Sequence, residues 1–263
     1  MAFSRRTFIS GLAGASALVM LPSLLSAPTS KRRVQAVVFD AFPIFDPRPI
    51  FSLAEELYPG HGHALADLWR TRQFEYTWLR TLSRRYVDFK TVTTDALTFA
   101  ARSLKLPLDA KQQAKLIGAY FTLDAWPDVM EALTRLHDAG LRLGFLSNFT
   151  QQMLDANLRH TGLTPFFEHV LSTDQAAAFK PDPRAYQLAP NAFALTREEI
   201  VFAAFASWDA AGAKSFGYPT FWVNRQSATM ENLDAEPDAS GAMPDLVRFV
   251  LQRTPHLEDR SSG

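Results

Sequence analysis

Four short runs of apolar residues, each giving way to polar ones, constrain this chain more than any other feature. Val34-Gln35-Ala36-Val37-Val38-Phe39 stops at Asp40, and Leu141-Arg142-Leu143-Gly144-Phe145-Leu146 stops at Ser147-Asn148. Ile200-Val201-Phe202-Ala203-Ala204-Phe205 leads into Trp208-Asp209, and Thr220-Phe221-Trp222-Val223 ends at Asn224-Arg225. Nearly continuous apolarity over so few residues belongs to strands covered on both faces. Helical patterns lie between the second and third runs: Met153 to Thr161, closed by Gly162, and Asp182 to Phe193, opened by Pro183. Strands alternating with helices predict an α/β fold, a parallel sheet wound by right-handed crossovers, with ligands beyond the carboxyl ends of the strands.

Residues 46–126 follow a different pattern. Leu65, Leu68, Trp69, Phe74, Trp78 and Leu79 recur at helical spacing between Ala64 and Leu82, and Val92 to Leu104 and Gln113 to Phe121 continue it. This predicts a helical insertion, stiffened at its entry by Pro43, Pro47 and Pro49 and returning at Trp126-Pro127. The expected organisation is then a core of residues 31–45 and 127–253, a helical cap domain of residues 46–126, and a frayed tail at 254–263. Residues 1–30 read as a targeting segment. Ser4-Arg5-Arg6-Thr7-Phe8-Ile9 is a twin-arginine pattern, and the uncharged stretch from Gly11 to Ala27 is a short apolar region ending in small residues. The expected partner for that segment is the Tat translocase, and the expected location is the periplasm, with the signal either cleaved or kept as a membrane anchor.

Composition removes several classes. Lys plus Arg and Asp plus Glu both number 27, so there is no surplus of positive charge for a nucleic-acid partner. The absence of cysteine removes disulfides, thiolate metal sites and thiol nucleophiles. His61 and His63 sit in a Gly-Pro-rich loop without an acidic partner at ligand spacing, so no metal site is expected there.

A carboxylate ending a buried strand serves as a nucleophile when a cation keeps it ionised; it serves equally well as a turn or helix cap. Asp40 has company that favours chemistry. Ser147-Asn148, Lys180-Pro181-Asp182 and Asp209 supply a hydroxyl, a cation and a second carboxylate in that chain order. Taken singly, Lys180 is open to being a surface charge, Asp209 a cap for a helix over Ala210 to Phe216, Arg70 a solvated cation, and the aromatics plain core.

Together the segments Val38-Phe39-Asp40, Leu146-Ser147-Asn148, Lys180-Pro181-Asp182 and Trp208-Asp209-Ala210-Ala211-Gly212-Ala213-Lys214 resemble the four motifs of the haloacid dehalogenase superfamily. Leu68-Trp69-Arg70, Gln73 to Arg80 and Arg85 to Phe89 resemble the helical cap of its type II, (S)-2-haloacid branch. The likeness runs over roughly residues 34–252 and implies a Rossmann-like, doubly wound core carrying that cap. It implies Asp40 as the nucleophile that displaces halide and forms an ester, which water then opens. Arg70 would face the halide, Ser147 and the Asn148 amide would hold the substrate carboxylate, Lys180 would keep Asp40 ionised, and Asp209 would orient the water. Phe42, Phe74, Phe89, Tyr186 and Trp208 would form an apolar wall.

Phe42 stands where phosphoryl-transferring relatives place a second Asp as acid and base, so the resemblance implies a metal-independent reaction on a small 2-haloacid, with no cofactor. A homodimer is also compatible with it. Departures from the pattern are Pro43-Ile44 in place of a Gly-Thr pair, Ala204 and Ala206 where Ser and Asn are usual, and Thr71 after Arg70 in place of Gln. Because of them two alternatives stay open: a hydrolase for another small acid or a phosphate ester, and a binding protein without turnover.

Overall fold

The computed structural model describes residues 33–254. Residues 1–30, expected from the sequence to be a targeting segment, and the tail beyond Thr254 lie outside those residues. The strands are β1 (Ala36–Phe39), β2 (Arg142–Ser147), β3 (His169–Ser172), β4 (Ile200–Ala204), β5 (Thr220–Val223) and β6 (Ala239–Gly241). All pairings are parallel and the spatial order is β3-β2-β1-β4-β5-β6. The apolar runs of the sequence correspond to β1, β2, β4 and β5. β3 and β6 carry no such run.

Alternation along the strands separates two packed layers. Val37, Phe39, Phe145, Val201, Ala203, Phe221 and Val223 face a layer that includes α6 (Val129–Asp138), α7 (Gln151–Thr161) and α11 (Met243–Leu251). Ala36, Val38, Leu146, Phe202, Ala204 and Trp222 face α8 (Pro183–Tyr186), α9 (Leu188–Phe193) and α10 (Ser207–Phe216). The sequence predicted one helix from Asp182 to Phe193, and the structure has two. Pro190 has no N–H to give the Tyr186 carbonyl four residues earlier, and that carbonyl accepts instead from the Tyr218 hydroxyl at 2.6 Å. α7 ends as predicted, with Gly162 in the left-handed conformation at φ 69°.

Between β1 and β2 the chain passes through the short α1 (Ala41–Ile44) and then α2 (Arg48–Leu57), α3 (Gly62–Leu82), α4 (Phe89–Ser103) and α5 (Ala110–Gly118). Asp88 caps α4 through the Thr91 N–H, and Asp109 forms a capping box with Gln112 at the start of α5. The insertion leaves and re-enters at one neck: Phe45 and Ala125 form an antiparallel bridge, Asp46 N–H donates to the Asp124 carbonyl at 2.8 Å, and Trp126 N–H donates to the Ile44 carbonyl at 3.0 Å. α3 packs on α4 through Trp69, whose indole N–H reaches the Thr93 carbonyl at 2.8 Å.

At the start of α3 the backbone of α2 approaches so closely that a Cβ on Gly62 would lie 2.2 Å from the Glu55 Cα. No rotamer change relieves a clash with backbone. Gly62→Ala is therefore expected to destabilise the protein by about 1–3 kcal/mol. At roughly 2–4 °C per kcal/mol for a domain of this size, a thermal melt should register it. An unchanged midpoint would mean that α2 and α3 are not held at this spacing.

Candidate active site

The strand order reverses direction between β1 and β4, so connections diverge there and leave a crevice at the carboxyl ends. Asp40 sits at that point. Its backbone N–H continues the sheet by donating to the Ala203 carbonyl at 3.0 Å, and its Oδ2 accepts from the Phe42 N–H at 3.3 Å as the N-cap of α1. The capping interaction fixes the carboxylate without using it up. Oδ1 accepts from Lys180 Nζ at 2.8 Å and from Ser147 Oγ at 3.2 Å, which leaves Oδ2 with a single long contact.

Lys180 is not a surface charge: its side chain is 1% exposed. Its second partner is Asp209 Oδ2 at 2.6 Å, and the other oxygen of Asp209 accepts from the Tyr186 hydroxyl at 2.7 Å. Burial works against the charge of Lys180, but the two carboxylates outweigh it and raise its pKa, so the ammonium persists. Burial pushes Asp209 up to about 6, reinforced by Asp40 and opposed by Lys180 and Tyr186. Asp209 lies inside the first turn of α10, whose N-cap is Ala206. It is no helix cap.

The loop carrying Lys180 is fixed from its own backbone: Asn148 Oδ1 accepts from the Lys180 N–H at 3.0 Å and from the Thr173 hydroxyl at 3.3 Å. Asp182 caps α8 through the Arg184 N–H, which sets the phase that brings Tyr186 round behind Asp209. Gly212 on α10 permits this approach, since a Cβ there would lie 2.6 Å from the Tyr186 hydroxyl.

Above these groups is a cavity with about 40 Å³ of free space. At roughly 10–15 Å³ for one water, it suits a solute of few atoms. Asp40, Ser147, Asn148, Lys180 and Asp209 line it from the sheet side, and Arg70, Phe74 and Phe89 from the insertion. Phe42 and Trp208 complete an apolar wall in which Phe42 meets Phe149 edge-on at 5.3 Å and Phe74 meets Trp208 at 5.2 Å. Arg70 rests 5.8 Å from the Phe74 ring with no ion pair to another described residue, and burial lowers its pKa. An unpaired, half-buried guanidinium on a cavity wall is suited to an anion.

The reaction class is narrowed by known proteins. The description "Hydrolase: haloacid dehalogenase-like hydrolase" matches residues 48–217. An (S)-2-haloacid dehalogenase of Pseudomonas sp. (strain YL) is 41% identical over 78% of this chain and 89% of its own length. The chain belongs to the haloacid dehalogenase-like hydrolases.

Haloacetate dehalogenase H-2 of Moraxella sp. (strain B) is 36% identical over 84% of this chain and 99% of its own. An L-2-haloacid dehalogenase crystal structure superposes with a TM-score of 0.82 at 42% identity, covering 84% of this chain and 100% of that one. The Xanthobacter autotrophicus L-2-haloacid dehalogenase with chloropropionic acid covalently bound superposes at 0.76 with 34% identity, over 83% and 98%. Against this family frame, one expected wall residue is misplaced. Tyr186 is fully buried and does not line the cavity; it belongs to the layer under Asp209. Its helix phase, which sequence spacing after Lys180 does not reveal, turns the ring inward.

Two alanines of the departures also separate. Ala206 lines the cavity, whereas Ala204 is buried against the Tyr186 layer, and Ile44 packs in the opposite layer. Ser207 donates to Glu231 at 2.9 Å and does not replace the group missing at Ala206. Sequence reasoning missed Gln73, Tyr120, Phe149 and Phe205, all of which line the cavity. Gln73 was within reach, three residues after Arg70 on the same helix face. Tyr120 carried no local signal, because only the packing of the insertion brings it in.

Tyr186→Phe removes a donor that stabilises the charged form of Asp209. Titration of the Asp209 carboxyl, followed by infrared or carbon NMR on selectively labelled protein, should give a midpoint near 6. In the variant the midpoint should move upward. A midpoint in the ordinary carboxylate range in both proteins would show that burial does not govern this group.

Proposed function

We propose that this protein hydrolyses short (S)-2-haloacids to 2-hydroxy acids through an ester on Asp40. The observation that carries the reading is the buried Asp40–Lys180–Asp209 array beneath a small apolar cavity whose insertion wall bears the unpaired Arg70. The names of the relatives, haloacid and haloacetate dehalogenases, supply the substrate class.

In the first step Asp40 Oδ2, the oxygen with lone pairs to spare, attacks C2 in line. A C–O bond forms, the C–halogen pair leaves as halide toward Arg70, and the centre inverts, so an (S)-acid gives an (R)-product. The Asn148 backbone amide holds the substrate carboxylate, and the Ser147 hydroxyl, whose one proton goes to Asp40 in the free site, turns to that carboxylate when substrate binds. In the second step water, held by Asp209, adds to the ester carbonyl; the C–O bond to the substrate oxygen breaks, one water proton goes to that alkoxide to give the 2-hydroxy acid, and the other leaves as Asp40 returns to its carboxylate. Lys180 steadies the charge on Asp40 before attack and after release. Phe42, two residues after the nucleophile, cannot relay a proton to a leaving alkoxide as a carboxylate would, and halide departure requires no such relay.

Ala206 faces the cavity beside Asp209 without a polar side chain, where the family pattern has Asn. A missing hydrogen bond to the water costs about 1–3 kcal/mol, which falls on the second step alone. Mixing with (S)-2-chloropropionate should therefore release a burst of halide approaching one equivalent, with the ester on Asp40 seen by intact mass. Asp40→Asn should abolish burst and turnover, Ala206→Asn should speed the steady phase, and chelators should change neither. Burst-free turnover would place the slow step elsewhere; dependence on Mg²⁺ with phosphate-ester turnover would reject the reading.

The twin-arginine segment at Ser4 to Ile9 supports export by the Tat translocase to the periplasm, and exposed Leu79 and Leu82 on α3 support pairing of two copies. Cell fractionation with an Arg5→Lys, Arg6→Lys variant tests export, and light scattering of a Leu79→Glu, Leu82→Glu variant tests pairing; unchanged location or mass would reject each.

A further inference from the structure

A displacement in line with Asp40 sends the leaving group away from the sheet edge and toward the wall supplied by the insertion. That wall includes Arg70, Gln73 and Phe74 of α3, Phe89 of α4, and Tyr120 beyond α5. Of these, Gln73 has no N–H to spare. The Thr93 hydroxyl donates to the Phe89 carbonyl at 2.6 Å, so its oxygen is left to accept, and it accepts from Gln73 Nε2 at 2.7 Å. The Gln73 amide is thereby oriented with its nitrogen toward Thr93 and Tyr120. Its second N–H donates to the Tyr120 hydroxyl oxygen at 3.2 Å.

The consequence falls on Tyr120. Its oxygen is the acceptor toward Gln73, so its proton points elsewhere, and no described residue accepts it in a hydrogen bond. The phenol is buried, which pushes its pKa up to about 12 against the opposing influence of Gln73 and Arg70, so the proton stays on. The ring is held by Trp69 at 5.7 Å, Phe149 at 5.9 Å and Phe89 at 6.4 Å. A buried hydroxyl proton without an acceptor is costly, and a donation received from Gln73 strengthens the one it can give. The structure thus holds a neutral donor with an uncommitted proton on the same wall as an unpaired guanidinium.

We propose that Tyr120 is a leaving-group residue that, together with Arg70, donates a hydrogen bond to the departing halide and so extends the range of the site to fluoride. The inference rests on the haloacid reading given above. No proton is transferred: the C–halogen electron pair leaves with the halide, and the O–H bond is kept. Fluoride is the smallest and most strongly accepting halide, so its departure depends most on a donor; bromide, large and diffuse, depends least.

Tyr120→Phe keeps the ring and its packing and removes only the hydroxyl. In the pre-steady-state phase, which reports the first step alone, the rate of halide release from (S)-2-fluoropropionate should fall by about 10- to 100-fold, as expected for loss of a hydrogen bond to a charged group. Release from the bromo acid should fall by less than about threefold, far below the cost of a lost charged hydrogen bond. An equal loss on both acids would mark Tyr120 as structural, and no loss on the fluoro acid would equally overturn the proposal.

Equilibrium binding of sodium fluoride and sodium bromide to the full chain, followed by tryptophan fluorescence, separates this inference from the reading beneath it. The variant should lose fluoride binding by about tenfold and bromide binding by much less. Should the wild-type protein release halide from no acid at all, the dehalogenase reading falls and the titration alone decides: a selective loss of fluoride binding supports Tyr120 as a halide donor, and an equal or absent loss rejects it.

Discussion

A single buried ammonium holds this structure and its chemistry together. Lys180 joins Asp40, at the end of β1, to Asp209, in the first turn of α10, and so ties the two halves of the doubly wound sheet across the point where their connections diverge. Ions stripped of water are expensive, and the cost is met only when every charge has partners. Here Ser147 and the Phe42 N–H serve Asp40, and Tyr186 serves Asp209. The array carries two carboxylates against one ammonium. Its surplus negative charge is shared between two groups that line the cavity, Asp40 the more open and Asp209 almost wholly buried, and burial keeps the second only weakly acidic.

Around that centre the work divides by origin. The core supplies the fixed charges, one at the end of β1, one on the loop anchored by Asn148 and one in the first turn of α10. The insertion supplies apolar area and the unpaired cation Arg70. Neither half makes a site alone. The carboxylate of Asp40 without its lid would sit in water, where its reactivity is damped, and the lid without the sheet would have nothing to cover.

Legibility in the sequence followed the physics of burial. β1, β2, β4 and β5 stood out because each has a neighbour on both sides and helices above and below, which demands unbroken apolar runs. β3 and β6 are the two edges of the sheet. His169-Val170-Leu171-Ser172 is only partly buried, and Ala239-Ser240-Gly241 hardly at all, so neither required such a run. Residues at strand ends were legible for the same reason, and Asp40, Ser147, Asn148, Lys180 and Asp209 come together as the motifs imply. Tyr186 and Tyr120 mark the limit. The first was visible as an aromatic but not the helix phase that turns it under Asp209; the second lies in the helical pattern from Gln113 to Phe121, which does not reveal that the packing of distant helices brings it to the cavity.

The neck at Phe45 and Ala125 bears on how such a protein can change over generations. Because the insertion begins and ends at adjacent residues, its length and internal architecture place no demand on the sheet, and lengthening a closed loop costs little entropy. The lid is in this sense a cassette. Recombination at this one doorway could exchange it while Asp40, Lys180 and Asp209 keep their positions, and selection could then redirect the same nucleophile to new substrates by revising a wall rather than rebuilding an enzyme.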